Sequence, residues 1–176
     1  MKSKAYTCTI AFITFVVTVC SPSLLLAEVK LPSVLGSHMV LQQGEAVPIW
    51  GLADPGEEIT VVFGAASVSA KADADGKWQV KLPSMKANAK GKQMVVKGSN
   101  EIVLEDVLVG EVWLCSGQSN MEFSVNTAFN ASAEIAATAD FSDIRLATVA
   151  LTTADTPQDD VPSAANYSWS RAMPSA

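Results

Sequence analysis

Between Val29 and Gly110, apolar residues recur at every second position in short runs separated by turn signals. Ile59, Val61 and Phe63 share one side of such a run, as do Val68, Ala70 and Ala72, and then Trp78, Val80 and Leu82. Met94 with Val96, and Ile102 with Leu104, continue the pattern. A period of two places these side chains on one face of a pleated strand and their polar neighbours on the other. Asp54-Pro55-Gly56, Asp75-Gly76 and Gly98-Ser99-Asn100 supply the reversals. Short strands striped on one face must close over one another to remove the stripes from water. The pattern therefore predicts an all-β domain over residues 28–110, a small sandwich or jelly-roll-like unit. No internal repeat or coiled-coil heptad is visible.

The character of the chain changes near Gly110. Val112 to Cys115 is a short apolar run that predicts a buried strand. Asn130 to Ala139 is alanine-rich and predicts a helix, and Ile144 to Ala150 predicts a second strand. Strand, helix, strand is the opening of a parallel α/β sheet. The tail from Thr152 to Ala176 is rich in Ser, Thr, Pro, Asp and Ala and has no periodicity. Two strands cannot cover both faces of a parallel sheet. Residues 111–176 are therefore expected to form an incomplete α/β domain.

The first 27 residues have the layout of a secretory leader. Lys2 and Lys4 are followed by an apolar core from Ile10 to Cys20, and Leu25-Leu26-Ala27 ends on a small residue. Cleavage after Ala27 is expected, with a secreted or periplasmic destination. Ser21, Pro22 and Ser23 interrupt the apolar stretch, which falls short of the roughly 20 residues of a spanning helix. No later segment is long and apolar enough to span, so a membrane is not an expected partner once the leader is removed. The mean hydropathy of +0.25 owes part of its sign to this leader.

Removing 27 of the 176 residues leaves 149, enough for one domain and part of another. The leader holds two of the twelve basic residues and none of the eighteen acidic ones, so the remainder carries ten against eighteen, a net charge of −8. No basic patch exists to neutralise phosphates, which excludes nucleic acid as an expected partner. Of the three cysteines, Cys8 and Cys20 belong to the leader. Cys115 is then alone, without a disulfide partner, and its apolar neighbours predict a small buried core residue.

The run Val112-Trp113-Leu114-Cys115 breaks at Ser116-Gly117 and is followed by Gln118-Ser119-Asn120-Met121-Glu122. A strand that ends in a tight, small-residue turn suits a nucleophilic serine. The strand fixes its position, and a following helix start aims N–H groups at a developing oxyanion. Such a serine needs a base, most often histidine. The chain has one histidine, His38, which lies 81 residues before Ser119 beside the apolar Met39-Val40-Leu41. Its expected role is packing or hydrogen bonding.

Three blocks carry a family resemblance. Leu35-Gly36-Ser37-His38-Met39-Val40-Leu41-Gln42-Gln43, then Val47-Pro48-Ile49-Trp50-Gly51, then Gly110 to Glu122, taken in this order, resemble the sialate O-acetylesterase family of SGNH-type hydrolases. The resemblance runs from about Leu31 to the C-terminus. It implies a secreted carbohydrate esterase that removes acetyl groups from sugar hydroxyls with no metal or organic cofactor. It also implies that residues 111–176 are the N-terminal part of an SGNH-type α/β hydrolase domain. The nucleophile block maps onto Gly117 to Met121, with Ser119 attacking and its backbone N–H as one oxyanion donor. Gly117, Gln118 and Asn120 shape the turn around it. Gln118 stands where many wider SGNH enzymes carry Asp. The family's Asp-x-x-His block, which holds the base, is not among these 176 residues. The alternative reading is a non-catalytic carbohydrate-binding or accessory β-domain. Acetylated sugars or glycans are the expected partner class under the esterase reading.

Other candidates have plainer expectations. Glu122 follows the serine at a helix start, where an acidic residue is stabilising. Asp73-Ala74-Asp75-Gly76 faintly resembles a calcium loop but lacks the remaining ligands, so a hairpin turn and no metal are expected. Trp50, Trp78 and Trp113 could stack on sugars, yet each lies in an apolar strand-like pattern that predicts core packing. Asn130-Ala131-Ser132 and Asn166-Tyr167-Ser168 are glycosylation sequons.

Overall fold

In a computed structural model of the protein, the described residues are 28–161 and 168–172. The expected leader, and Asn166 and Tyr167 of the second sequon, lie outside them. Seven strands occupy the first two thirds: β1 Val40–Gln42, β2 Val47–Leu52, β3 Glu58–Phe63, β4 Ala66–Lys71, β5 Lys77–Leu82, β6 Asn88–Lys97 and β7 Glu101–Gly110. Five of them form a mixed sheet in the order β1-β7-β6-β3-β4, and β2 pairs with β5 in a separate two-stranded sheet. Only β1 and β7 run parallel among these pairs.

The alternation read from the sequence produces this arrangement. Ile59, Val61 and Phe63 of β3 and Trp78, Val80 and Leu82 of β5 are buried while their neighbours face outward or sit half-buried. The buried faces of both sheets join one apolar cluster that also takes in Met39, Leu41, Ile49, Met94, Val96, Leu104, Val107 and Val109. Val68 and Ala70 pack only partly against it, because β4 is an edge strand. Burying a side chain of this size contributes roughly 1.5–3 kcal/mol, so the shared stripe is the main support of the β region.

After Gly110 the expectation of a parallel α/β start is corrected in its strands. Val112–Cys115 forms no strand, and every residue from Glu111 to Met121 is exposed. Apolar character alone does not make a strand, and no other strand pairs with this run among the described residues. Cys115 is correspondingly exposed rather than buried. The helix exists as α1, Ala131–Ala137, continued by a 3-10 turn at Thr138–Asp140. The second strand shrinks to β8, Arg145–Leu146, which pairs antiparallel with β9, Ser170–Arg171. No helix among the described residues is long and apolar enough to cross a membrane.

Candidate active site

The chain enters the serine turn from the parallel pair β1–β7, in which Gln42 lies opposite Gly110. Where both strands stop, one further backbone bond and then side chains continue the ladder. The Gln43 N–H donates to the Gly110 carbonyl at 2.8 Å. Gln42 Oε1 accepts the Val112 N–H at 2.9 Å, and Gln42 Nε2 donates to Glu111 at 3.1 Å. The Gln43 side-chain amide donates to the other Glu111 oxygen. These donors, Gln43 first and Gln42 second, lower the Glu111 carboxyl below its ordinary value. The two glutamines thus clip residues 110–112 to the β-sheet just before the serine turn.

Ser119 opens a four-residue 3-10 turn, Ser119–Glu122, and is exposed. This replaces the expected helix start at that point. The Met121 N–H donates to the Gln118 carbonyl at 2.8 Å, and the Phe123 N–H to the Asn120 carbonyl at 3.3 Å. Gly117 lets the Met121 side chain fold over the turn, since a Cβ there would lie 2.8 Å from Met121 Cγ and the methionine would have to shift. Gly117, Gln118, Ser119 and Asn120 therefore stand together on one exposed turn. Among the described residues, no hydrogen bond joins Ser119 to a histidine or a carboxylate.

His38 is engaged elsewhere, in the structural role its surroundings predict. Its backbone is left-handed, at φ 68°, and its N–H donates to the Glu105 carbonyl at 2.8 Å. Its Nδ1 is 2.9 Å from Asp106 Oδ2. That oxygen also receives Arg145 Nη2 at 3.1 Å and Arg171 Nη2 at 2.9 Å. The Arg171 hydrogen bond, then that of His38, with further attraction from both arginines, holds the Asp106 carboxyl down at about 2 despite partial burial. Arg145 is buried and also donates to the Ser142 carbonyl at 2.6 Å. Asp106 is itself left-handed, at φ 53°, and faces Gly91 of β6, where a Cβ would meet Asp106 Oδ1 at 2.0 Å. Sequence reasoning missed this cluster. The available signal was Glu105-Asp106, two acidic residues in succession that break the alternation of β7 and mark an irregular strand.

The remaining candidates divide. Trp78 is core, as expected, but Trp50 is 38% exposed and Trp113 is 83% exposed, which corrects both. Asp73 Oδ1 accepts the N–H groups of Asp75 and Lys77 at 2.9 and 2.8 Å, and Gly76 takes φ 76°, so this segment is a hairpin turn. Asn130 of the first sequon is exposed just before α1, with φ 60°.

The β-rich fold is similar to that of a solved carbohydrate acetylesterase. The crystal structure of a carbohydrate acetylesterase from Xanthomonas citri superposes with a TM-score of 0.78 at 34% identity, covering 84% of this chain and 33% of that one. No protein-family model matches the chain. Among curated relatives, the mouse sialate O-acetylesterase is 34% identical over 153 residues, which is 81% of this chain and 28% of that protein. The human sialate O-acetylesterase is 34% identical over 154 residues, 81% of this chain and 29% of that protein. Over this shared stretch the chain is a homologue of the sialate O-acetylesterases. It spans less than a third of the length of the curated relatives it matches.

Proposed function

We propose that the chain is the nucleophile-bearing part of a secreted carbohydrate O-acetylesterase, with Ser119 as the attacking residue. The observation that carries this reading is the exposed Gly117-Gln118-Ser119-Asn120 turn, clipped to the β-sheet by Gln42 and Gln43, in a chain 34% identical to a sialate O-acetylesterase. On this reading residues 28–110 are a β-sandwich and residues 111–176 begin an SGNH-type α/β domain. Trp113, Leu114 and Phe129 are 83%, 92% and 98% exposed, which supports a larger domain that covers them. The layout of residues 1–27 supports export.

The chemistry is acyl transfer. Ser119 Oγ attacks the acetyl carbonyl carbon, and its proton passes to a base. The tetrahedral oxyanion collapses, the sugar leaves as its alcohol with a proton from the conjugate acid, and water then releases acetate from the acetyl-serine. An acid on Nδ1 does not by itself disqualify a histidine as base, but among the described residues no hydrogen bond joins His38 to Ser119, and on this reading the base belongs to the family's Asp-x-x-His block. Loss of a triad member costs several orders of magnitude in rate.

Imidazole supplied in solution can stand in for the missing base. The test compares acetate release from an O-acetylated sialic acid by the chain and by its Ser119→Ala variant, each with and without imidazole. The expected result is imidazole-dependent release that exceeds the variant's. Equal release by both proteins under all conditions removes Ser119 from the nucleophile role.

A further inference from the structure

The part of the chain that follows Gly110 meets the β region at a seam, and four carboxylates stand on it. Glu111 accepts the side-chain amides of Gln42 and Gln43. Asp106 of β7 receives Arg145 from β8 and Arg171 from β9. Asp160 accepts the Ser33 N–H and Oγ–H at 2.9 Å, and Asp159 faces Lys77 of β5 at 3.6 Å. Two further contacts across the seam use no acid. Gln42 Oε1 accepts the Val112 N–H, and the Trp169 indole N–H donates to the Val34 carbonyl at 2.9 Å.

The β region is held by other means. Backbone ladders join its strands, and one apolar cluster joins its two sheets. Neither depends on the charge of a side chain. Glu57 is a carboxylate inside this region, where it accepts the Asp54 and Ser99 N–H groups, but it joins two turns of the β region to each other. Beyond the seam the balance is reversed. Among the described residues of 111–161, Arg145 is buried and no apolar side chain is. A part with so little buried apolar surface depends on its polar anchors to stay docked.

The anchors share one response to pH. Around Asp106 stand His38, Arg145 and Arg171, with the uncharged Gly91 on the β6 side, while Glu105 is taken by Gln93 at 2.8 Å. Glu111 faces two neutral glutamines, whose amides lower its carboxyl. Burial raises the Asp160 carboxyl, but the Ser33 and Val161 donors outweigh it and the net shift is downward. Lys30, Lys71, Asp73 and Lys77 lie in the same cleft as Asp159 and Asp160. A carboxyl that is lowered in the folded protein contributes in full above its unfolded value, and the contribution is lost as pH falls through the folded one. Acid therefore weakens these anchors together.

We propose that the seam is an acid-released joint: as pH falls, the part that follows Gly110 loses its hold on the β region while the β core stays folded. The serine turn comes soon after the Glu111 anchor, so release frees the approach to Ser119 from its scaffold. The joint is a property of the fold and is independent of whether Ser119 is a nucleophile.

The experiment is hydrogen exchange of the full chain, followed by NMR from about pH 6 to about pH 3 and expressed as protection relative to the intrinsic rate at each pH. The Val112 amide and the Trp169 indole N–H report on the seam, because their acceptors do not titrate in this range. The amide of the buried Val61 reports on the β core. Protection at both seam reporters should fall about tenfold or more across this range while Val61 keeps its own. The double variant Glu111→Gln with Asp160→Asn should lower seam protection at about pH 6 and flatten its response to acid. Seam protection that stays constant with pH overturns the proposal, as does loss of Val61 protection in the same step. An acid response in the double variant equal to that of the parent overturns the assignment to these carboxylates.

Discussion

His38 Nδ1 lies 2.9 Å from Asp106 Oδ2, which makes the chain's one histidine part of a structural clasp. The same oxygen receives Arg145 from β8 and Arg171 from β9. One carboxylate therefore ties the small β8–β9 pair to the bend in β7. The contact is electrostatic and charge-assisted, and one partner, Arg145, has a side chain only 2% exposed. A buried guanidinium without its acid would be left as an uncompensated charge.

Asp106→Asn should therefore destabilise the protein by about 2–4 kcal/mol. Asparagine tolerates the left-handed backbone at this position, so the change reports the lost charge and not backbone strain. Urea unfolding of the two proteins gives the difference. A change within about 0.5 kcal/mol, the range of ordinary surface substitutions, would mean that the clasp contributes nothing.

The same carboxylate sets an acid limit. Its pKa is lowered from 3.8 to about 2, by Arg171 first and His38 second. A depressed folded-state value means that the folded protein binds fewer protons there than the unfolded chain. The contribution is thus complete above the unfolded value and is lost as pH falls from there through the folded one. Thermal midpoints of the parent and Asp106→Asn should differ most above about pH 4 and converge toward pH 2. Glu57, Glu111 and Asp160 are lowered too, but they titrate in both proteins and leave the difference to Asp106. A gap that stays constant across this window would contradict the assignment.

The β region was legible in the sequence because burial follows a local rule. Ile59, Val61, Val80 and Leu82 needed only their period of two to be placed inside. The clasp was not legible, because its partners stand 68, 39 and 65 residues from Asp106 and no local pattern joins them. Val112 to Cys115 misled for a related reason. Its composition is that of a buried strand, but burial needs a neighbour, and among the described residues none lies beside it. Trp50 shows the limit of composition at a single position: Val47 and Ile49 point inward, so Trp50, one step out of phase, points outward. The serine turn itself was readable from its residues, whereas the role of Gln42 and Gln43 in holding it became visible only once β1 lay beside β7.

Removal of that glutamine grip should act locally. Gln42→Ala deletes the acceptor of the Val112 N–H and one donor to Glu111. Each hydrogen bond contributes roughly 0.5–1.5 kcal/mol. Exchange of the Val112 amide should accelerate while the amide of Val61, deep in the sheet, keeps its protection. Unchanged exchange at Val112 would show that the clip does not restrain the approach to Ser119.

Cys115 offers a chemical test of the exposed run. Its sequence neighbours are those of a core residue, yet its side chain is open to solvent. Iodoacetamide should therefore alkylate Cys115 in the native chain within a few-fold of its rate in denaturant, as peptide mapping can show. Cys8 and Cys20 fall in separate peptides and do not confuse the result. Strong native protection would mean that Trp113, Leu114 and Cys115 are covered in solution, by self-association or by a strand pairing that their composition favours. Rapid labelling would instead leave an apolar ribbon facing water directly before Ser119.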